Sequence, residues 1–373
     1  MLLCHQDTLG KETGVGDTLG AGFIGCGRIM DLNILGYLDR DDARVAAFCD
    51  PNEETLKKRV EQYGPAKTYT DYHDMLADPE VDIVEVLTPH HLHREMVVQS
   101  LEAGKHVSVQ KPPAVTIDEM DAMMRARDRS GKKLKVFENF IFYPPYQKAK
   151  ELIEAGEIGD PVGIRIKMHS SMTPSGWEVP LESWLWRIQE DLCGGGPCLF
   201  DDGYHKWSVA IDLLGDVEKV FAWIGKRELL PGVGVDNPAV VIWRYRGDRD
   251  VFGVCDAMMS TQLQIPSQYY AIDERMEVSG ERGVIWVTKW TADMLGVPAV
   301  IMYRDGETTT FEDMPQDWAD SFRRSTWHFI DAIKNDTEPS LSAERGREVL
   351  QFALAISRSA RESREVYLNE FEI

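Results

Sequence analysis

Short apolar runs alternate with amphipathic stretches from residue 20 to about 138. The runs lie at 21–25, 44–49, 82–88, 105–109 and 134–138 and mix β-branched with small residues, as in Ile83-Val-Glu-Val-Leu87. Helical patterns fill the gaps at 28–39, 52–62, 90–103 and 116–130, with a shorter one in Asp71-Tyr-His-Asp-Met-Leu76. Short strands alternating with helices of ten or more residues predict βαβ crossovers and an open, doubly wound parallel sheet.

The pattern changes after residue 140. Pro144-Pro145 opens a helix to about 155, which Gly156 and Gly159 stop. Longer runs follow at 161–170, 217–227, 238–246, 250–259, 274–280 and 283–288. They predict antiparallel strands joined by turns such as Arg246-Gly-Asp248 and Ser279-Gly-Glu-Arg-Gly283. A helix at 202–214 interrupts them, and helices at 319–334 and 343–361 close the chain, the last capped by Ser342. The fold class is therefore α/β: a doubly wound parallel sheet over 19–140, then an α+β unit over 141–373 with a large open antiparallel sheet. The last helix is placed to pack back toward the first unit. Residues 1–18, with Asp-Thr-Leu-Gly at 7–10 and again at 17–20, read as a polar, poorly ordered extension.

The net charge of −21 over 373 residues argues against nucleic acid and anionic membrane partners, because both need a basic patch. No stretch is long and apolar enough to span a membrane, and the N-terminus lacks the pattern of a signal peptide. The six cysteines form no Cys-x-x-Cys pair and no zinc-like cluster, so free thiols in a cytoplasmic setting, without a metal, are expected. All ten tryptophans lie at or after Trp177, which favours core and interface roles in the second unit.

The chemistry starts at the first apolar run. It ends in Gly25-Cys26-Gly27, a helical pattern with Arg28 and Ile29 opens directly after it, and Asp50 closes the next run. This is the layout of a dinucleotide-binding βαβ unit. Glycines let the backbone approach a pyrophosphate, the helix start favours the anion, and Asp50 accepts from ribose hydroxyls. Met30 occupies the place of the third glycine of the fingerprint.

Two further signals follow. Lys111, in His106-Val-Ser-Val-Gln110-Lys111-Pro-Pro113, stands at the carboxyl end of the fifth strand, where the crevice of such a sheet binds ligands. The segment Gly194-Gly-Gly-Pro-Cys-Leu-Phe-Asp201-Asp202-Gly203-Tyr-His205 places Asp201 and His205 four apart on one helix face. A histidine beside a carboxylate is a candidate base for a hydroxyl proton. Asp202 is the alternative N-cap, which leaves Asp201 or Asp202 as the site carboxylate.

These motifs, with Thr88-Pro89-His90-His-Leu-His93, Ala103-Gly-Lys-His-Val107 and Glu157-Ile-Gly159, run in one order from about 20 to 215. Together they resemble the Gfo/Idh/MocA family of NAD(P)-dependent oxidoreductases. The resemblance implies a Rossmann domain, a C-terminal sheet that forms a homodimer or homotetramer interface, and a sugar or cyclitol substrate. It implies NAD or NADP bordered by Gly25, Cys26, Gly27, Arg28, Ile29, Asp50, Thr88, Pro89, His90, His93, Gln110, Lys111, Trp186 and Arg187. It also implies Lys111, Asp201 and His205 as the catalytic set, with Asn139 beside them as a substrate-binding residue. The chain departs in two places. Gln110 replaces the usual glutamate before the lysine, and the interval from the glycine triplet to Asp201 is one residue longer than the common form.

The reading is a hydride transfer between nicotinamide and a secondary alcohol or ketone carbon of a sugar, sugar derivative or cyclitol. NAD is favoured over NADP because Asp50 repels a 2′-phosphate. Two alternatives remain: a glycoside-cleaving enzyme working by transient oxidation and elimination, and a non-catalytic sensor of sugar and NAD.

Overall fold

Six short runs pair in parallel as the first sheet: β1 (Leu19–Ile24), β2 (Ala43–Cys49), β3 (Lys67–Tyr69), β4 (Ile83–Val86), β5 (His106–Gln110) and β6 (Leu134–Phe137). The computed structural model describes residues 18–173, 176, 177 and 179–371. The extension read at 1–18 lies outside these residues, Thr18 apart, as does Cys4. The strand order is β3-β2-β1-β4-β5-β6. It reverses between β1 and β4, so the carboxyl ends of those two strands flank a switch-point crevice. Residues of β4 and β6 are buried throughout, as a sheet covered on both faces requires. β3 is a three-residue edge strand, Lys-Thr-Tyr, too short and too polar to leave a signal in the apolar pattern.

The helix expected at 28–39 divides into Met30–Asn33 and Leu35–Leu38, and Ile34 keeps right-handed helical dihedrals between them. Bonds from Leu32 N to Ile29 O and Tyr37 N to Ile34 O tighten it locally into i→i+3 turns. Gly36 lies against helix Trp318–Lys334, where a Cβ would come within 2.4 Å of Thr326 Cβ. The carbonyl of Gly36 accepts from Trp327 Nε1 at 3.1 Å. Gly36→Ala is therefore expected to cost about 1–3 kcal/mol by overpacking. A urea titration should show the midpoint falling with an unchanged slope.

The second unit contains β7 (Pro161–Ser171), β8 (Val217–Ile224), β9 (Arg227–Leu230), β10 (Val233–Val235), β11 (Ala239–Tyr245), β12 (Phe252–Ser260), β13 (Ile272–Gly280), β14 (Gly283–Val287), β15 (Val300–Arg304), β16 (Glu307–Phe311) and β17 (Val366–Tyr367). β9 and β10 form a separate hairpin, and the other nine strands follow the order β16-β15-β14-β13-β7-β12-β11-β8-β17. The sheet is mixed rather than wholly antiparallel, because β7 pairs parallel with β12 while β13 pairs antiparallel with β7 on its other side. β7 thus enters the middle of the sheet, and the long connection from its end to β8 is free to carry the site. One face is covered by helices Pro144–Glu154, Gly203–Leu214 and Ala343–Glu362. The last of these also packs on β6, where Gly346 meets Val136, and Arg347 pairs with Asp121 of helix Ile117–Ser130 at 2.6 Å.

Candidate functional site

The glycine turn is built for close approach. Gly25 has φ +88°, a conformation that favours glycine, and its N–H donates to Cys49 O at 2.8 Å. A Cβ at Gly27 would meet no atom within 4 Å, so this side of the loop is open. Asp50 ties the turn to β2: one carboxylate oxygen accepts from Cys26 N at 3.0 Å and the other from Asn52 N at 2.9 Å. Met30 is fully buried and packs into the core in place of a third glycine. Arg28 stacks across the cleft on Trp177 of the second unit, 4.8 Å from the ring centre.

The loop after β4 is pinned from two directions. The His93 ring bridges Thr88 O at 2.8 Å and Pro112 O at 3.1 Å, joining it to the turn after β5. His90 Nδ1 donates to Cys193 O at 2.7 Å, and burial lowers the His90 pKa to about 3, so this ring is neutral. Gln110 accepts from its neighbour Lys111 N at 2.9 Å through its side-chain oxygen and donates to Asn33 Oδ1 at 3.3 Å.

Lys111 and Asp201 meet directly. Lys111 Nζ donates to Asp201 Oδ1 at 2.8 Å and to the Asp201 carbonyl at 2.9 Å. An ammonium has three donors. The third has no protein partner among the described residues, and Lys111 lines the cleft. Arg187 Nε donates to the second oxygen of Asp201 at 2.6 Å, and its guanidinium lies 4.4 Å over the Trp186 ring. Trp186 in turn meets His90 edge-on at 4.6 Å. Burial alone would raise the Asp201 pKa, but Lys111 and Arg187 overcome it and hold the carboxyl well below its ordinary range.

His205 is oriented by a different carboxylate from the one its spacing suggested. Its Nδ1 lies 2.8 and 2.9 Å from the two oxygens of Glu138, which is fully buried just beyond β6. Asp201 is committed to the two cations instead. Phe140 stacks on the imidazole at 4.2 Å, with planes 16° apart. Burial lowers the His205 pKa, Glu138 opposes this, and the net shift is downward. A neutral ring donating from Nδ1 leaves Nε2 as an acceptor. Asn139, the next residue, lines the same cleft and donates to Ser321 Oγ at 2.9 Å.

The interval between the glycine triplet and Asp201 forms a π-helical turn, Pro197–Asp202, marked by Asp201 N bonding Gly196 O at 3.2 Å. Asp236 holds the start of this turn, accepting from Cys198 N at 2.8 Å and Leu199 N at 2.7 Å. Asp202 does not cap the following helix, since its backbone is helical and its side chain makes no capping bond. Its carboxylate pairs with Lys206 at 3.0 Å, and Lys206 is buried against Glu274.

Gly25, Gly27, Arg28, Asp50, Thr88, His90, Gln110, Lys111, Asn139, Trp177, Trp186, Arg187, Asp201, Asp202 and His205 line one cleft of about 1470 Å³ that also includes Thr70 and Trp318, whereas Cys26 and His93 of the expected cofactor set, like Met30, Phe140 and Glu138, stand behind its wall. It is larger than a small ligand alone needs. The open Gly27 cradle, the apolar wall of Ile24, Ile29, Leu87 and Met96, and the acid at its far end fit a dinucleotide. Glu138, Phe140 and Arg59 escaped the sequence reading. The carboxyl-end rule that singles out Lys111 after β5 would equally have singled out Glu138 after β6. Among the described residues, no group of three or more His, Cys, Asp and Glu side chains has the arrangement of a metal site, and no helix is long and apolar enough to cross a membrane.

Residues 19–138 match the oxidoreductase family with an NAD-binding Rossmann fold, and residues 146–286 match the Gfo/Idh/MocA C-terminal domain. The chain is 28% identical over 355 residues to the myo-inositol 2-dehydrogenase of Thermotoga maritima, covering 94% of this chain and 98% of that one. It is 28% identical over 370 residues to the D-glucoside 3-dehydrogenase of Escherichia coli, covering 96% and 100%. The crystal structure of a probable dehydrogenase from Thermotoga maritima superposes with a TM-score of 0.76 at 28% identity, covering 95% of this chain and 100% of that one. With both halves of the chain matched and the cofactor loop, lysine and histidine gathered in one cleft, the chain belongs to the Gfo/Idh/MocA family of NAD-binding oxidoreductases.

Proposed function

We propose that this chain is an NAD-dependent dehydrogenase acting on a secondary alcohol of a sugar, sugar derivative or cyclitol. The observation that carries the reading is the convergence of Lys111 from the first unit and His205 from the second on the cleft that the glycine loop opens. The names of the relatives, an inositol and a glucoside dehydrogenase, support the substrate class.

Gly25, Gly27 and Asp50 hold the dinucleotide, and when bound it supplies the hydride acceptor. In the oxidising direction His205 Nε2 takes the hydroxyl proton as the carbinol C–H leaves as hydride and a carbonyl forms. Lys111 donates its third N–H to the oxygen on which negative charge develops. Asp201 and Arg187 fix the ammonium in place, and Glu138 fixes the histidine tautomer. The test is absorbance at 340 nm with NAD and a panel of cyclitols, hexoses and glycosides. Oxidised product and NADH should form in equal amounts. A sugar released with no net NADH would instead identify an eliminating glycosidase, and ligand binding without turnover a sensor.

Asp50 sets the cofactor preference. A carboxylate there repels a 2′-phosphate, and Pro51-Asn52 offer no cation to receive one. Asp50→Ala is expected to lower the NAD:NADP ratio of kcat/KM about tenfold or more, a change of roughly 1.4 kcal/mol. An unchanged ratio would remove Asp50 from the adenosine site.

The chain is also proposed to form a homodimer or homotetramer through the outer face of the nine-stranded sheet. Trp223, Phe252 and Ile242 are 64%, 54% and 44% exposed there on the three neighbouring strands β8, β12 and β11. An apolar face of this kind is normally covered by a partner. Light scattering should give a dimer or larger for the wild type and a monomer for the double variant Trp223→Asp/Phe252→Asp. The five described cysteines are free and buried, which supports a reducing, cytoplasmic setting.

A further inference from the structure

Arg59 lies on helix Glu53–Tyr63, more than thirty residues from the glycine loop, and is spent almost entirely on it. Its Nε donates to Cys26 O at 2.9 Å and its Nη2 to Gly27 O at 2.7 Å. Its Nη1 pairs with Asp31 and donates to Gln62 Oε1 at 2.9 Å. Asp31 is shared, since Tyr63 donates its hydroxyl to the same carboxylate at 2.7 Å and Arg28 pairs with it too. The Arg59 side chain is only 12% exposed and is absent from the cleft lining, whereas Gly27 and Arg28 line the cleft. The arginine is therefore behind the loop, and the cleft is in front of it.

A trans peptide is planar, with its C=O and N–H pointing in opposite directions. Holding the carbonyls of Cys26 and Gly27 back toward Arg59 turns the N–H groups of Gly27 and Arg28 the other way, toward the cleft. Without the guanidinium, the Cys26 carbonyl has no other hydrogen-bond donor among the described residues, and the Gly27 carbonyl keeps only Met30 N at 3.2 Å. The Cys26–Gly27 peptide plane is then free to rotate and the Gly27–Arg28 plane is held by one backbone bond alone, and a rotated plane would present a carbonyl oxygen to an anion. The planar fork of arginine suits this task, since two carbonyls a residue apart need two donors in fixed relative positions.

We infer that Arg59 is a positioning residue that aims the amides of the glycine loop at the dinucleotide pyrophosphate, and so controls cofactor affinity without touching the cofactor. The inference rests on the proposed placement of NAD in this cleft. Four of its five N–H donors are already committed within the protein, so it is not itself a phosphate ligand.

Calorimetric titration of the full chain with NAD, and separately with ADP, tests this. ADP carries the pyrophosphate and no nicotinamide, so its binding reports on the loop and not on catalysis. Arg59→Lys keeps the charge but loses the planar fork whose fixed donors meet both carbonyls at once. It is expected to raise the Kd for both ligands about tenfold, and Arg59→Met to raise it further. Arg59→Lys with wild-type affinity for ADP would overturn the inference, whatever happens to its melting temperature. A tighter Kd in the lysine than in the methionine variant, with both weaker than wild type, would separate lost geometry from lost charge and support it. Failure of the wild type to bind either ligand would overturn the cleft assignment itself, and this inference with it.

Discussion

Lys111→Met is expected to lower kcat about a thousandfold, with kcat/KM falling in step. The ammonium reaches the cleft with two donors fixed on Asp201 and one unspent. A donor held in advance at the place where alkoxide charge develops costs no reorganisation during reaction, and removing one such donor typically costs about 10²–10³ in rate. A further loss follows because Asp201, buried and now left with Arg187 as its one cation and the neutral His90 ring at 3.6 Å, presents less-balanced negative charge to the same oxygen. Methionine fills the lysine volume without charge, so the fold is kept. Parallel falls in kcat and kcat/KM mark an interaction made in the transition state, while a rise in KM alone would mark simple substrate binding. Steady-state kinetics at saturating NAD decides between them, and a rate within a few-fold of wild type would remove Lys111 from the chemistry.

The second large effect concerns the histidine and its carboxylate. Burial lowers the His205 pKa, so the imidazole is neutral at pH 7 and its Nε2 can accept a proton. The rate of alcohol oxidation should therefore hold steady near neutrality and fall only on the acid side, as the base becomes protonated. His205→Ala removes the proposed base, for an expected loss of about 10²–10⁴ in kcat. Glu138→Gln is more informative. Glu138 raises the pKa of His205, and the loss of its charge moves the acid limb of the profile to lower pH. The plateau should also fall, about a hundredfold, because a neutral amide no longer stabilises the imidazolium that forms. A fall in the plateau with no movement of the acid limb would mean that Glu138 only supports the fold. The Glu138 pKa is itself lowered, with His205 the largest favourable cause against burial, so the carboxylate stays charged beside the imidazole.

Local signals were the legible ones. The turn at Gly25-Cys-Gly27, the acid closing β2, the lysine closing β5 and the Asp201/His205 spacing each need only a few neighbouring residues to be read. Their positions follow from strand ends and helix starts, which periodicity marks well. The partnerships were less accessible. Glu138 lies 67 positions from His205, and Lys111 lies 90 from Asp201. Nothing in the spacing says that the histidine pairs with the first acid and the lysine with the second. The four-residue spacing points instead to Asp201 as the partner of His205. The π turn before Asp201, which sets where the carboxylate points, also has no signature in the local pattern. In the second unit, β16 reads Glu-Thr-Thr-Thr-Phe, nearly all exposed, so it carries no apolar alternation to detect. The parallel pairing of β7 with β12 depends on a long connection whose path no local pattern encodes.

The most direct measurement is a crystal structure of the chain with NAD and a slowly turned-over sugar or cyclitol. One hydroxyl oxygen of that ligand should lie within hydrogen-bond distance of both Lys111 Nζ and His205 Nε2, with its carbon facing the nicotinamide. A ligand ordered in the cleft whose nearest hydroxyl contacts neither group would contradict the account.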